Sequence, residues 1–233
     1  MNRRFVGKIM QWTLVSLACV ILAMICVMPG HDAQAALTKT TTFDTIDVWQ
    51  SLAVATMAVG NAEDIHLSFS TIVYIEVALT NANAQAGVDV EIEISYADDD
   101  WRNFWGPVKG TAETPGADDL DEGAGADPGD PTITLTDATT DDFDVIGRRW
   151  FILDGTVANS ESVRTASISG NVITLTQDLM TAHADAQVVW DRVDEWSVAI
   201  PLAASYVRVI INNTDADATI HWRSYCSKVT SLN

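Results

Sequence analysis

The chain has 233 residues, with 13 Lys and Arg against 32 Asp and Glu, a formal net charge of −19. That excess of acid excludes a nucleic-acid ligand, because a phosphate backbone needs a basic face, and it argues against anionic lipid headgroups. It favours solubility and points to bound cations or a salty surrounding.

Arg3, Arg4 and Lys8 form a basic head, followed by an apolar run over 14–28 broken only by Ser16. Ala33-Gln34-Ala35 then supplies an A-x-A cleavage site. This order of charge, apolar run and small residues is a secretory signal peptide over residues 1–35. The run is shorter than the roughly 20 residues a membrane-crossing helix needs, which disfavours a retained anchor. A lipoprotein reading at Cys19 fails because the apolar stretch continues past it. The expected product is secreted, extracellular or at the cell surface, with no membrane attachment after cleavage. It starts at Ala36 or Leu37. Cleavage removes three basic residues and Asp32, which takes the formal charge to −21, and leaves Cys226 as the one cysteine. A disulfide framework is therefore excluded, and the fold must rest on its core and sheet ladders.

Leu37-Thr38-Lys39-Thr40-Thr41-Thr42-Phe43-Asp44-Thr45-Ile46 is a threonine-rich β-former near a chain end. An extended segment there can pair with a neighbour's open sheet edge, which makes Thr38, Thr40, Thr42, Phe43 and Ile46 candidate assembly residues. Pairing within its own sandwich is the alternative. Residues 72–79 predict a strand with Val73, Ile75, Val77 and Leu79 inward. Residues 81–87 are a turn-rich connection. Over 88–96 the alternation is unbroken, with Val88, Val90, Ile92, Ile94 and Tyr96 on one face and Asp89, Glu91, Glu93 and Ser95 on the other. One apolar and one acidic face is the pattern of an antiparallel strand buried on one side.

Trp101 and Trp105 flank Arg102-Asn103-Phe104 just past the end of that strand. Exposed tryptophans stack on sugar rings, so the pair is the candidate platform of a carbohydrate-binding module, with core packing as the plainer reading. Residues 111–131 are rich in Gly, Pro and acid without apolar periodicity, and read as an exposed loop or linker. A second β-rich unit occupies 132–190. Residues 132–136 and 172–176 share one strand pattern, 150–153, 162–168 and 187–190 are further short strands, and 177–184 is expected to form one helical turn. Residues 193–200 return to a longer strand, and 206–211 and 218–226 form a closing hairpin around Asn212-Asn213-Thr214-Asp215-Ala216-Asp217. Asn212-Asn213-Thr214 is also a formal N-glycosylation sequon. Cys226 shares a strand face with Ile220, Trp222 and Ser224 and is expected to be a buried thiol. The expectation is an all-β, antiparallel β-sandwich (jelly-roll-like), built from 36–110 and 191–233 and interrupted by a small β-barrel over 132–190.

Within that insert, Gly147-Arg-Arg-Trp-Phe-Ile-Leu-Asp154, Glu161-Ser-Val-Arg-Thr-Ala-Ser-Ile-Ser-Gly-Asn-Val-Ile-Thr-Leu-Thr176 and Thr181-Ala-His-Ala-Asp-Ala186 follow one cadence. It resembles the small β-barrel units of virion proteins and secreted surface proteins. Ala184-Asp185 stands where those units usually carry Ala-Gly after the histidine. The resemblance covers about 50 residues and implies a structural, assembly-prone module. The flanking sandwich resembles jelly-roll folds in general.

No catalytic motif accompanies these elements. Nucleophilic catalysis needs Ser or Cys beside an oriented His, yet His66, His183 and His221 neighbour neither a G-x-S-x-G elbow nor a papain-like cysteine. His66 and His221 read as exposed side chains on sheet faces. Zinc spacing is missing too, and acid pairs are so common here that a glycosidase pair carries no information. The chain is expected not to be an enzyme. Calcium is the candidate cofactor, since hard cations take clustered carboxylates and loop carbonyls. Asp215 and Asp217 present two carboxylates from one loop. Asp119, Asp121 and Glu122, with Asp118, form a second cluster, and Asp98-Asp99-Asp100 a third. Together these features predict a secreted, non-enzymatic structural subunit that self-assembles at the cell surface as a filament, sheath or layer, with itself as partner. A secreted carbohydrate-binding module or adhesin, with an extracellular polysaccharide as partner, is the alternative.

Overall fold

The computed structural model describes residues 39–80, 87–110, 114–138, 146–215 and 218–232. The signal-peptide reading, Thr38, Asp217 and the connection over 81–86 lie outside them. A compact unit spans Thr40–Ser231.

The regular structure of the described residues is nearly all strand: β1 (Lys39–Leu52), β2 (Met57–Val59), β3 (Glu63–Asp64), β4 (Ser70–Leu79), β5 (Val88–Ser95), β6 (Arg102–Lys109), β7 (Ala117–Asp119), β8 (Thr132–Thr134), β9 (Arg149–Ile152), β10 (Glu161–Ser169), β11 (Val172–Leu175), β12 (Val188–Trp190), β13 (Val193–Ile200), β14 (Tyr206–Asn213) and β15 (Ile220–Leu232). The order β1-β15-β4-β13 makes one sheet of the sandwich and β2-β14-β5-β6 the other, with β3 also on β14. The pairs nest: β1 with β15, β2 with β14, β4 with β13, β5 with β6. First strand on last, second on second-to-last, is a long hairpin rolled into two sheets, which is the jelly-roll topology.

The period-two strands supply the core. Val73, Ile75, Val77 and Leu79 of β4 meet Val88, Val90, Ile92 and Ile94 of β5 between the sheets, joined by Val207, Val209 and Ile211 of β14. Tyr96 departs from the expected face. β5 stops at Ser95 and Tyr96 stands exposed beyond it.

The other strands form one six-stranded sheet, β7-β12-β9-β10-β11-β8. Its two edges meet: Asp121 N–H donates to Thr134 O (2.9 Å) and Thr136 N–H to Asp119 O (3.0 Å), so the sheet curls on itself. Residues from 117 onward, expected in a linker, are part of this closure. Leu120 and Ala126 sit in a core with Ile133, Leu135, Trp150, Ile152 and Ile173. Isolated apolar residues in an acidic stretch carry no period, and only the partner strand reveals their place. The helical turn is also displaced. It is a 3-10 turn at Val157–Asn159, while 177–184 lacks helix.

Candidate functional site

Among the described residues, β1 forms one edge of its sheet and pairs with β15. Three contacts fix that pairing as antiparallel. Ser51 Oγ lies 3.1 Å from His221 Nδ1, Ser224 Oγ donates to Asp47 Oδ2 (2.6 Å), and Lys228 Nζ reaches Asp44 Oδ2 (2.7 Å). Asp47 is buried and also accepts from the backbone N–H and side-chain amide of Asn61. Lys228 further contacts Glu63 Oε1 at 2.5 Å. Burial alone would lower its pKa, but the hydrogen bonds to Asp44 and Glu63 hold it above the ordinary lysine value. Among the described residues, Asp44, Glu63 and Cys226 are the one group of potential ligands gathered closely enough for a metal. The Lys228 ammonium already serves both carboxylates of that group.

Several side chains of β1 remain outside, without strict alternation. Phe43 is 71% exposed and Val48 57%, whereas Ile46, Trp49 and Leu52 are buried. A cleft of about 630 Å³ runs along this strand. Phe43, Asp44, Thr45, Asp47, Val48 and Trp49 line one wall, and Ser160, Glu161, Met180 and Thr181 of the barrel line the other, over a floor of Arg149, Arg223 and Tyr225. The indole N–H of buried Trp49 has no hydrogen-bond partner among the described residues.

The floor of the cleft is where barrel and sandwich join. Glu76 of β4, 1% exposed, receives Arg149 Nη1 (2.7 Å), Arg223 Nε (2.7 Å) and Ser162 Oγ (2.7 Å). Arg149 Nε and Arg164 Nη2 lie 2.7 and 2.6 Å from Glu195. Arg223 also lies over the Trp49 ring at 4.9 Å. Beside it Trp49, Ala78 and Phe151 form a small apolar cluster. A buried carboxylate is tolerable only when paired and fully hydrogen-bonded, and Glu76 meets that condition with groups from both units.

His183 lies fully buried in the barrel. Its Nε2 is 3.1 Å from Thr181 Oγ1 and 3.4 Å from Glu161 Oε2, and its Nδ1 is 3.0 Å from Gln187 Oε1. Gln187 in turn donates to Asp154 (2.8 Å). Burial would raise the Glu161 carboxyl, but hydrogen bonds from His183, Met180 and Thr181 hold it below the usual range. The Thr181 hydroxyl is tied to Asn159 O and Glu161 (both 3.0 Å), so the group locks the 177–183 segment onto β10. Nothing in the local sequence marks Glu161 as the partner of His183, because their meeting depends on barrel closure.

Of the two histidines expected to be exposed, His66 is exposed but sits in the turn after β3 beside Asp64 rather than on a sheet face, whereas His221 is corrected: it is buried against Phe151, with ring centroids 5.5 Å apart. Asp215 is buried and its carboxylate accepts the N–H of Ala218 (2.9 Å), closing the β14–β15 loop. The Glu122 carboxylate accepts the Thr134 N–H, and Asp119, Asp121 and Glu122 do not converge on a common point. Trp105 packs against the sandwich core, and the Arg208 guanidinium covers a face of Trp101 at 4.1 Å. The two tryptophans therefore do not form a bare platform. Of the assembly residues, Thr40 and Phe43 are exposed, Thr42 is half-buried and Ile46 lies in the core. From Lys39 on, the segment pairs within its own sandwich. Cys226 is buried, as expected.

No family model and no curated protein matches the chain. Among solved structures, it is similar to a chain of Bacillus endospore appendages, disulfide-linked pili, at 13% identity over 87% of this chain and 100% of that one, with a TM-score of 0.27. A protein of infectious bursal disease virus, Gt strain, matches at 11% identity over 84% of this chain and 42% of that one, TM-score 0.24. The VP16–VP17 complex of major capsid proteins from bacteriophage P23-77 matches at 7% identity over 82% and 99%, TM-score 0.21. These are weak resemblances to pilus and capsid proteins, and at such TM-scores they carry no argument about function.

Proposed function

We propose that the chain is an exported, non-enzymatic structural subunit whose copies associate at the cell surface into a filament, sheath or layer. The observation that carries this reading is β1. It is a 14-residue edge strand with exposed Phe43 and Val48 and without proline. Natural monomers often keep such edges short or interrupt them with proline; β1 is neither short nor interrupted, and a long edge is a surface for pairing with another chain. The charge distribution supports a regulated association. Eight of the ten Lys and Arg beyond residue 35 are engaged in ion pairs within the chain. Few cations remain to attract a neighbour, so like-charged copies meet only when salt or a divalent ion offsets repulsion. Calcium enters this reading as such a counterion between acidic faces.

Sedimentation velocity and electron microscopy of the chain from Ala36, across salt and calcium concentrations, test the proposal. Growth into large regular particles is expected. A chain that stays monomeric throughout, or that binds a polysaccharide instead, overturns it.

A further inference from the structure

Resting on the reading of the chain as a self-associating subunit, we infer that the two ends of its sandwich dock head to tail. The β3–β4 and β13–β14 turns of one copy meet the β1–β2 turn of the next. The first end carries leucine where turns normally carry polar residues. Ser68 N–H closes one turn on Ile65 O (2.9 Å), and Ala204 N–H closes the other on Pro201 O (3.1 Å). Ile65 N–H donates to Ser205 O (2.8 Å), so the two turns stand side by side. Leu67 and Leu202 lie within them, 74% and 70% exposed, and Phe69 is exposed just beyond Leu67. The second end is the turn over 53–56, held by Ala55 N–H on Asp215 O (2.8 Å). Val54 and Met57 are exposed there, and β2 continues the surface with exposed Val59. β14 connects the two ends, since Tyr206 pairs with Ser95 and Asp64 while Asn212 pairs with Met57. They are therefore about 25 Å apart along the strands.

Charge identifies a second copy as the occupant, by where it is missing and where it is left unpaired. In a chain with 19% charged residues, 48–62, 65–75 and 196–207 contain no Asp, Glu, Lys or Arg. The first stretch runs through the second end, and the other two run through the first. Two acidic copies repel wherever their carboxylates face each other, so these surfaces are where they approach most closely. The charge that remains is complementary. Asp98 and Asp99 are exposed in the β5–β6 loop at the first end, just beyond Ser95. Lys109 is exposed at the second, where Gly110 N–H closes on Val88 O (2.7 Å). It makes no ion pair among the described residues, whereas eight of the ten cations beyond residue 35 do. Head-to-tail docking brings its ammonium toward the two carboxylates, while contact between two first ends sets carboxylate against carboxylate. A contact between unlike ends is heterologous and propagates unless its rotation closes a ring.

The test uses two variants of the chain from Ala36. Leu67→Glu with Leu202→Glu blocks the first end, and Met57→Glu blocks the second, all at exposed positions. Sedimentation velocity is run under salt and calcium in which the parent chain assembles. Each variant alone should assemble at least about tenfold less, because like charge is placed in the contact, with far-UV spectrum and melting temperature unchanged. Leu202→Ser, a milder change, should weaken assembly in the same direction. Mixed one to one, the two blocked variants should form dimers, since an intact first end meets an intact second end. Val172→Glu, which adds a carboxylate on the barrel, should assemble like the parent. Folded variants that assemble like the parent, or a mixture without dimers, overturn the head-to-tail contact while the subunit reading stands. A parent that stays monomeric in every condition removes both. Monomers that instead bind phosphatidylcholine vesicles, with binding lost in the Leu67/Leu202 variant, assign the leucines to a lipid surface and overturn the contact.

Discussion

Arg149 Nη1 lies 2.7 Å from Glu76 Oε1, an ion pair that links β9 of the barrel to β4 of the sandwich. Glu76 also carries Arg223, so removing its carboxylate leaves the Arg223 guanidinium uncompensated in a largely buried joint and Arg149 with Glu195 alone. Breaking a buried pair in this way costs roughly 3–5 kcal/mol. Glu76→Ala should lower stability by that amount in urea titration. A loss below about 1 kcal/mol would mean that water already screens the joint.

His221 gives a pH signature. Burial pushes its pKa from 6.5 down to about 4. The unfolded chain takes up the proton first, so the stability from keeping this ring neutral is complete above about 6.5. It is lost as pH falls toward 4, by on the order of 3 kcal/mol. His221→Gln should flatten the stability profile in that window. An unchanged acid slope in this variant would assign the loss to carboxylates instead.

Cys226 points the opposite way. Burial, the largest influence, pushes its thiol from 9.0 to about 11. The unfolded thiol ionises first, so this contribution is complete below about pH 9 and fades as pH rises toward 11. At neutral pH the native thiol should resist an aromatic disulfide reagent and react fully in urea. Fast labelling of the folded chain would place the sulfur at the surface.

Association should strengthen with salt, because charges on the facing copies are screened over about 8 Å at physiological ionic strength. Calcium should act beyond sodium chloride of equal ionic strength, since a divalent ion bridges carboxylates. Sedimentation at matched ionic strength separates the two. Identical profiles would reduce calcium to a general screening ion.

The strand character of β4, β5, β14 and β15 was legible residue by residue, because alternation of apolar and polar side chains follows directly from strand geometry. Val90, Ile92 and Ile94 lie inward as that pattern requires. The jelly-roll-like sandwich and the β nature of the insert follow from the same local signal. What alternation cannot state is what covers the other face. Glu76 and His221 occupy the outward positions of their strands, where a solvated surface was the natural expectation. Both are buried because the barrel docks there through Arg149 and Phe151. Leu120 fell in an acidic stretch without period, and its place in the barrel core depends on the closure of β7 against β8. The cleft beside β1 has the same origin, with one wall from residues 43–49 and the other from residues 160–181. The sequence determined the strands, the acidic charge and the single remaining cysteine after residue 35. Tertiary packing decided which charges are buried, how the barrel closes and where an edge is left open, because those outcomes depend on contacts between segments a hundred or more residues apart.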